Sequence, residues 1–204
     1  QSIGEAVPTV IFQSIAQKIK NALNCTPLTT ATINKLIVSQ NLSDVDVLRD
    51  FIIKNPMNLS AATLGKVAEL ANTSRTDNAA FFTSKSLITE MMKSLPDTDK
   101  DTVHILEPSV GVGNFIPLIV KKFEGKKIVL DVVDVDSNSL ELAKLILKNY
   151  NIPQTCTINY INDDFLCHNF ESKYDYIIGN PPFFKMKSSD NLLEVYRRNA
   201  INKS

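Results

Sequence analysis

Val103-His104-Ile105-Leu106-Glu107-Pro108-Ser109-Val110-Gly111-Val112-Gly113-Asn114-Phe115 runs from an apolar stretch through a glycine turn into the start of a helix. Val103–Glu107 is short, apolar and bounded by turn formers, the pattern of a buried strand. Gly111 and Gly113 let backbone pass close to a ligand and supply N–H groups near a helix start. The third glycine of a dinucleotide-binding fingerprint would fall at position 116, which is isoleucine here. Glu107 would also repel a pyrophosphate. A cationic or zwitterionic ligand suits this turn better.

The alternation continues outward from that stretch. A helix at 84–94 precedes the strand and one near 114–123 follows it. Strand Ile128–Val133 leads into a helix at 137–149, a strand lies near 155–161, and strand Tyr174–Ile178 closes the series. This is a βαβαβ plan, which predicts a parallel α/β sheet with right-handed crossovers. Residues 1–78 read differently. Val10, Ile11, Ser14, Ile15, Lys18 and Ile19 form a helical stripe behind Pro8. Further helices are expected at 30–40, after the cap signal Ser43-Asp44, and near 59–72. The polar residues 73–80 read as a linker. The predicted organisation is an all-helical region at 1–78 and an α/β catalytic domain at 79–204. The helical region offers no constellation assignable to chemistry.

The chain has 204 residues, 44% of them hydrophobic, with formal net charge zero and a pI of about 6.9. That balance excludes strong non-specific nucleic-acid binding by this segment alone. The charge is uneven, since Lys185, Lys187, Arg197, Arg198 and Lys203 face only Asp190 and Glu194 after residue 180. Cys25, Cys156 and Cys167 lack paired spacing and make no metal-ligand pattern with His104 and His168. The expectation is no metal and a reducing, cytoplasmic setting. No apolar stretch is long enough to span a bilayer, and no signal peptide is evident.

Three further strand ends carry polar chemistry. Val133-Asp134-Val135-Asp136 puts a carboxylate after the second strand, where it can accept from both hydroxyls of a ribose. Asp163-Asp164-Phe165 follows the third; a carboxylate there can accept an adenine amino group, and the ring can cover the base. Asn180-Pro181-Pro182-Phe183 follows the fourth. Proline fixes φ and pushes the preceding residue towards extended geometry, so this turn is stiff. An amide oxygen and a nearby carbonyl can then accept both hydrogens of one planar amino group, with an aromatic ring to stack on its base.

This ordered set resembles the S-adenosylmethionine-dependent methyltransferases. More narrowly, it is similar to the DNA adenine methyltransferases whose cofactor motifs precede the catalytic motif and whose recognition region comes last. The residues that carry the resemblance are Phe81-Phe82-Thr83-Ser84, Glu107-Pro108-Ser109 with Gly111, Gly113, Asn114 and Phe115, then Asp134, Asp164-Phe165 and Asn180-Pro181-Pro182-Phe183. They span residues 80–184.

The resemblance implies a Rossmann-like class I sheet and S-adenosylmethionine as cofactor. It implies that Thr83 lies near the methionine carboxylate and that Glu107, Ser109 and Gly111 line the methionine portion, with Gly113 and Phe115 in the same turn. Asp134 would hold the ribose hydroxyls, Val135 would lie against the adenine, and Asp164 and Phe165 would take its amino group and ring edge. Asn180 and the Pro181 carbonyl would accept from the target N6, and Phe183 would stack on the flipped base. The implied partners are duplex DNA with an extruded adenine and a restriction or specificity subunit, in a bacterial or archaeal cell. Family members continue with more strands and a recognition region. The chain therefore looks like an amino-terminal fragment with an incomplete sheet, expected to be inactive alone. Two alternatives remain open: a methyltransferase of protein glutamine or of an RNA base, and a non-catalytic S-adenosylmethionine-binding module.

Overall fold

The computed structural model describes residues 28–72, 83, 85–171, 173–181 and 191–202. The helical stripe expected before residue 20, the linker at 73–80, and Pro182 and Phe183 lie outside the described residues.

Among the described residues, four helices precede the sheet: α1 (Thr30–Ser39), α2 (Val45–Lys54), α3 (Ala61–Ala71) and α4 (Lys85–Ser94). The first three start at side chains that accept orphan backbone N–H groups, as helix starts require. Thr29 caps α1 through Thr32 N, Asp44 caps α2 through Asp46 N and Val47 N, and Ser60 caps α3 through Thr63 N. The α/β unit follows as β1 (Thr102–Pro108), α5 (Ile116–Lys122), β2 (Lys127–Asp134), α6 (Ser137–Leu147), β3 (Cys156–Asn162) and β4 (Tyr176–Ile177), and then α7 (Asn191–Asn202).

The four strands are parallel in the order β3-β2-β1-β4. The order reverses between β1 and β4, so the crevice at their carboxyl ends is the switch point where open α/β sheets bind ligands. The last strand is shorter than expected. Only Tyr176 and Ile177 pair formally with β1. Backbone bonds nevertheless run on at both sides, from Asp175 N to His104 O at 2.8 Å and from Ile178 N to Leu106 O at 2.9 Å.

Alternation on the strands builds the core. Val103 pairs with Ile128 and Ile105 with Leu130, and all four are buried on one sheet face. Ile88 and Met92 of α4, Ile116 and Ile119 of α5, and Leu140 and Leu147 of α6 pack onto it. Helix α6 is apolar on two sides. Its Leu142 and Ile146 enter a second cluster with Ile33, Leu48, Phe51, Leu64 and Val67 of α1 to α3. Helices α1 to α3 thus stack as an outer layer on α6, and Val112 of the glycine turn joins that same cluster. Arg49 of α2 ties the layers by an ion pair with Glu141 of α6 at 2.7 Å. On the other sheet face, Tyr174 Oη donates to Asp131 at 2.6 Å and Asn159 Nδ2 donates to the same carboxylate at 2.7 Å.

Candidate active site

The four strand ends are linked into one rim. Val110 N donates to Val133 O at 3.0 Å, which turns the chain after β1 over the end of β2. Ser109 adopts φ 58°, Gly111 φ 55° and Gly113 φ 82°. Ser109 is the unusual member, since a side chain in this region is strained and such strain gathers at functional sites. The geometry aims the Gly111 N–H at Asp134 Oδ2, 2.8 Å away, while Asp136 N donates to Oδ1 at 3.0 Å. Two backbone amides thus fix the orientation of the Asp134 carboxylate.

At the third strand, Asn162 Nδ2 donates to Asp134 O at 2.9 Å and to Val135 O at 3.0 Å. Val135 is left 62% exposed beside Asp134, an apolar surface next to an acceptor. Asp164 Oδ1 accepts from Leu166 N at 2.9 Å, and Oδ2 accepts from the Tyr196 hydroxyl on α7 at 2.5 Å. The bond to Asp164 pushes the Tyr196 phenol up to about 12. Asp163 instead pairs with His168 at 2.7 Å, which lowers its carboxyl below the ordinary range. The Phe165 ring lies 5.7 Å from that of Phe170.

Glu107 at the end of β1 is 1% exposed, and its Oε2 has no hydrogen-bond partner among the described residues. Desolvation, and then the nearby Asp134 charge, raise its carboxyl well above the usual range. An isolated buried carboxylate is costly, so burial favours the protonated form of this group.

The fourth strand delivers Asn180. A Cβ on Gly179 would stand 2.8 Å from Pro108 O, so only glycine lets β4 approach the end of β1 this closely. The Asn180 amide then donates through Nδ2 to Thr83 Oγ1 at 2.8 Å. Thr83 is 7% exposed and directly precedes the segment leading into α4. This bond leaves Oδ1, which can only accept. Pro181 follows, exposed.

The expected site residues therefore divide. Thr83 and Asn180 are bonded to each other, Gly111 and Asp134 likewise, and Glu107 lies beside Asp134. The Phe115 side chain is 6% exposed in the sheet core, so what it offers the turn is backbone. Sequence reasoning missed Glu69 and Asn72 of the helical layer and Tyr196 of α7. Gly65 with Glu69 four residues on, in a helix whose other polar residues are Thr63 and Lys66, was the available signal for the first.

Among the described residues, no cluster of three or more metal-binding side chains occurs and no helix is long and apolar enough to cross a membrane. The family described as methyltransferase small domain matches residues 82–200. The type II methyltransferase M.CvrRI of Paramecium bursaria Chlorella virus XZ-6E is 34% identical over 115 residues, 56% of this chain and 27% of that protein. The type II methyltransferase M.AccI of Acinetobacter calcoaceticus is 31% identical over 113 residues, 55% of this chain and 19% of that protein. Among solved structures, the type IIG restriction endonuclease BpuSI matches in fold with a TM-score of 0.51 at 18% identity, over 70% of this chain and 18% of that one.

Proposed function

Because the chain belongs to the methyltransferase small domain family and has its Rossmann-like class I fold, we propose that it carries the cofactor and catalytic portion of a DNA methyltransferase acting on the N6 amino group of adenine in a restriction–modification system. The cofactor is S-adenosylmethionine, whose sulfonium supplies an already activated methyl group. The observation that carries the reading is Asn180, held by Thr83 at the switch point, one residue from the Gly179–Pro108 contact.

The residues present fit that cofactor. Buried Glu107, with Oε2 unsatisfied, suits the positive charge of a methionine ammonium. Asp134, fixed by two backbone amides, suits a ribose diol, and exposed Val135 suits an adenine face. Asp164 carries the acceptor for the adenine amino group, and Tyr196 orients it.

Catalysis in this reading is largely positioning. Asn180 Oδ1 and the Pro181 carbonyl accept the two hydrogens of the target amine. This would turn the nitrogen lone pair towards the methyl donor and support the positive charge that develops on nitrogen as it takes the methyl group, the pair of the broken carbon–sulfur bond staying on the now neutral sulfur. The proton then leaves along one of these acceptors to water. Phe183, by its place in the sequence, supplies the ring on which a flipped base stacks. The two type II methyltransferases that match the chain favour DNA over RNA or protein glutamine.

The test is transfer of a labelled methyl group to duplex DNA, to RNA and to a glutamine-bearing protein loop, with the complete gene product. Label at adenine N6 of DNA, lost in Asn180→Ala, is expected. Label on RNA or on glutamine alone would move the substrate to that class, and binding of cofactor with no transfer to any of the three would leave a binding module.

A further inference from the structure

Helix α3 reaches both turns that hold the cofactor site. Two residues flanking Gly113 are engaged by the helical layer. Val112 is 6% exposed inside the α1–α3 cluster. Asn114 Nδ2 donates to Glu69 Oε2 at 3.1 Å, and Glu69 is 5% exposed, a rare burial for a glutamate. Gly65, one turn before Glu69, makes room: a Cβ there would come within 3.2 Å of Asn114 Oδ1.

The second turn is held at the end of the same helix. Asn72 Nδ2 donates to Ser139 Oγ at 3.1 Å and reaches Asp136 Oδ2 at 3.4 Å, while Ser139 Oγ donates to that same oxygen at 2.7 Å. Asp136 N in turn donates to Asp134. A cavity of about 20 Å³ lined by Asn72, Asp136, Asn138 and Ala71 sits in this seam, room for about one water. The contacts therefore run from α3 through Asn114 to the glycine turn and through Asp136 to Asp134, and Gly111 N closes the loop on Asp134.

We propose that α3 is part of the cofactor site, with Glu69 and Asn72 as positioning residues that hold the glycine turn and the Asp134–Asp136 turn in binding geometry, so that cofactor binding and docking of the helical layer are coupled. This rests on the methyltransferase reading and assigns the helical region a role in it. Coupling is reciprocal: whatever α3 adds to cofactor affinity, bound cofactor adds to the docking of α3.

The experiment measures S-adenosylmethionine and S-adenosylhomocysteine affinity by calorimetry, melting temperature without ligand, and amide exchange in α1 to α3 with and without saturating ligand. Glu69→Ala should weaken binding by about tenfold or more, the scale of a hydrogen bond to a charged group. Glu69→Gln keeps an acceptor for Asn114 and should restore most of it. Ile33→Val, a truncation in the same helical core that bonds neither turn, should lower the melting temperature and leave affinity within about twofold. Ligand should slow exchange in α3 of the wild-type chain, and this readout stands even if Glu69→Ala does not fold. Affinity within twofold of wild type in a folded Glu69→Ala, or α3 exchange unmoved by saturating ligand, would overturn the proposal while leaving the methyltransferase reading intact. A wild-type chain that binds neither ligand would overturn both.

Discussion

Replacing Gly179 by alanine puts a methyl group against the end of β1. A Cβ there stands 2.8 Å from Pro108 O, 3.1 Å from Pro108 Cδ and 3.3 Å from Pro108 Cγ. The nearest atom is backbone, so no rotamer change relieves the clash and a strand end has to move. Near that point β4 is held to β1 by the bond from Ile178 N to Leu106 O at 2.9 Å. Overpacking of this kind costs about 1–3 kcal/mol. For a chain of this size that is roughly 2–12 °C of melting temperature. The effect on transfer is larger, because Asn180 is the next residue and a displacement of about 1 Å in a reacting geometry costs on the order of 10²-fold. Asp134 and Gly111 are bonded to each other and not to β4, so cofactor affinity should hold. The expected variant is folded, melts a few degrees lower and binds S-adenosylmethionine normally, and in the complete gene product it transfers methyl groups about a hundredfold more slowly. Gly125→Ala is the control: it has φ 85° but nothing within 4 Å of its Cβ, so it carries only the backbone cost of about 1–2 kcal/mol. Wild-type melting and turnover in Gly179→Ala would refute the idea that the close approach of β4 to β1 sets the position of Asn180.

Three other outcomes follow from the same geometry. Asp134→Ala removes the acceptor held between Gly111 N and Asp136 N and should weaken S-adenosylmethionine by about 1.5–3 kcal/mol per lost charged hydrogen bond; unchanged calorimetric affinity would assign the ribose elsewhere. Asn180→Ala should abolish methyl transfer to DNA while cofactor affinity stays within a few-fold, since its amide bonds Thr83 and not Asp134 or the glycine turn; a parallel loss of affinity would instead make it a cofactor residue. Glu107 has its folded pKa raised above an unfolded value near 4.5 by burial and then by Asp134, so the folded chain binds that proton more tightly. Its contribution is present in full below the unfolded value and is lost as pH rises through the folded one. The urea midpoint of the ligand-free protein should therefore fall as pH rises from the unfolded value near 4.5 towards the raised folded value, and Glu107→Gln should flatten that slope; an equal slope in both would place the linkage on another group.

The alternation of helix and strand was legible because each strand faces a continuous core. Val103, Ile105, Ile128, Leu130 and Val132 are buried to 1% exposure or less, which is the apolar run that marks a parallel strand. The helix start at Asp44 was legible for a local reason, since capping acts within three residues. The last strand was overestimated because Tyr174 and Ile178 look like strand residues in a one-dimensional pattern. Tyr174 instead spends its hydroxyl on Asp131, across the sheet, and burial together with that bond raises its phenol far above the ordinary range.

What the sequence hid is contact between segments far apart in the chain. Glu69 and Asn114 are 45 residues apart, Asn72 and Ser139 67 apart, and Asn180 and Thr83 97 apart. No local rule connects such pairs. Each is polar and at least partly buried, and a buried polar group is costly unless it is satisfied, so the fold supplies its partner. Most of the residues expected to form the site sit at strand ends, where backbone geometry alone sets their position. Those that hold them in place come from helices that the strand pattern cannot see. Gly65 shows how the two kinds of information meet: a glycine inside a helix is locally unfavourable by about 1 kcal/mol, and the cost is explained only by the Asn114 amide that packs against it. A helix that gives up intrinsic stability to seat a side chain of the glycine turn supports the proposal that α3 is a wall of the cofactor site.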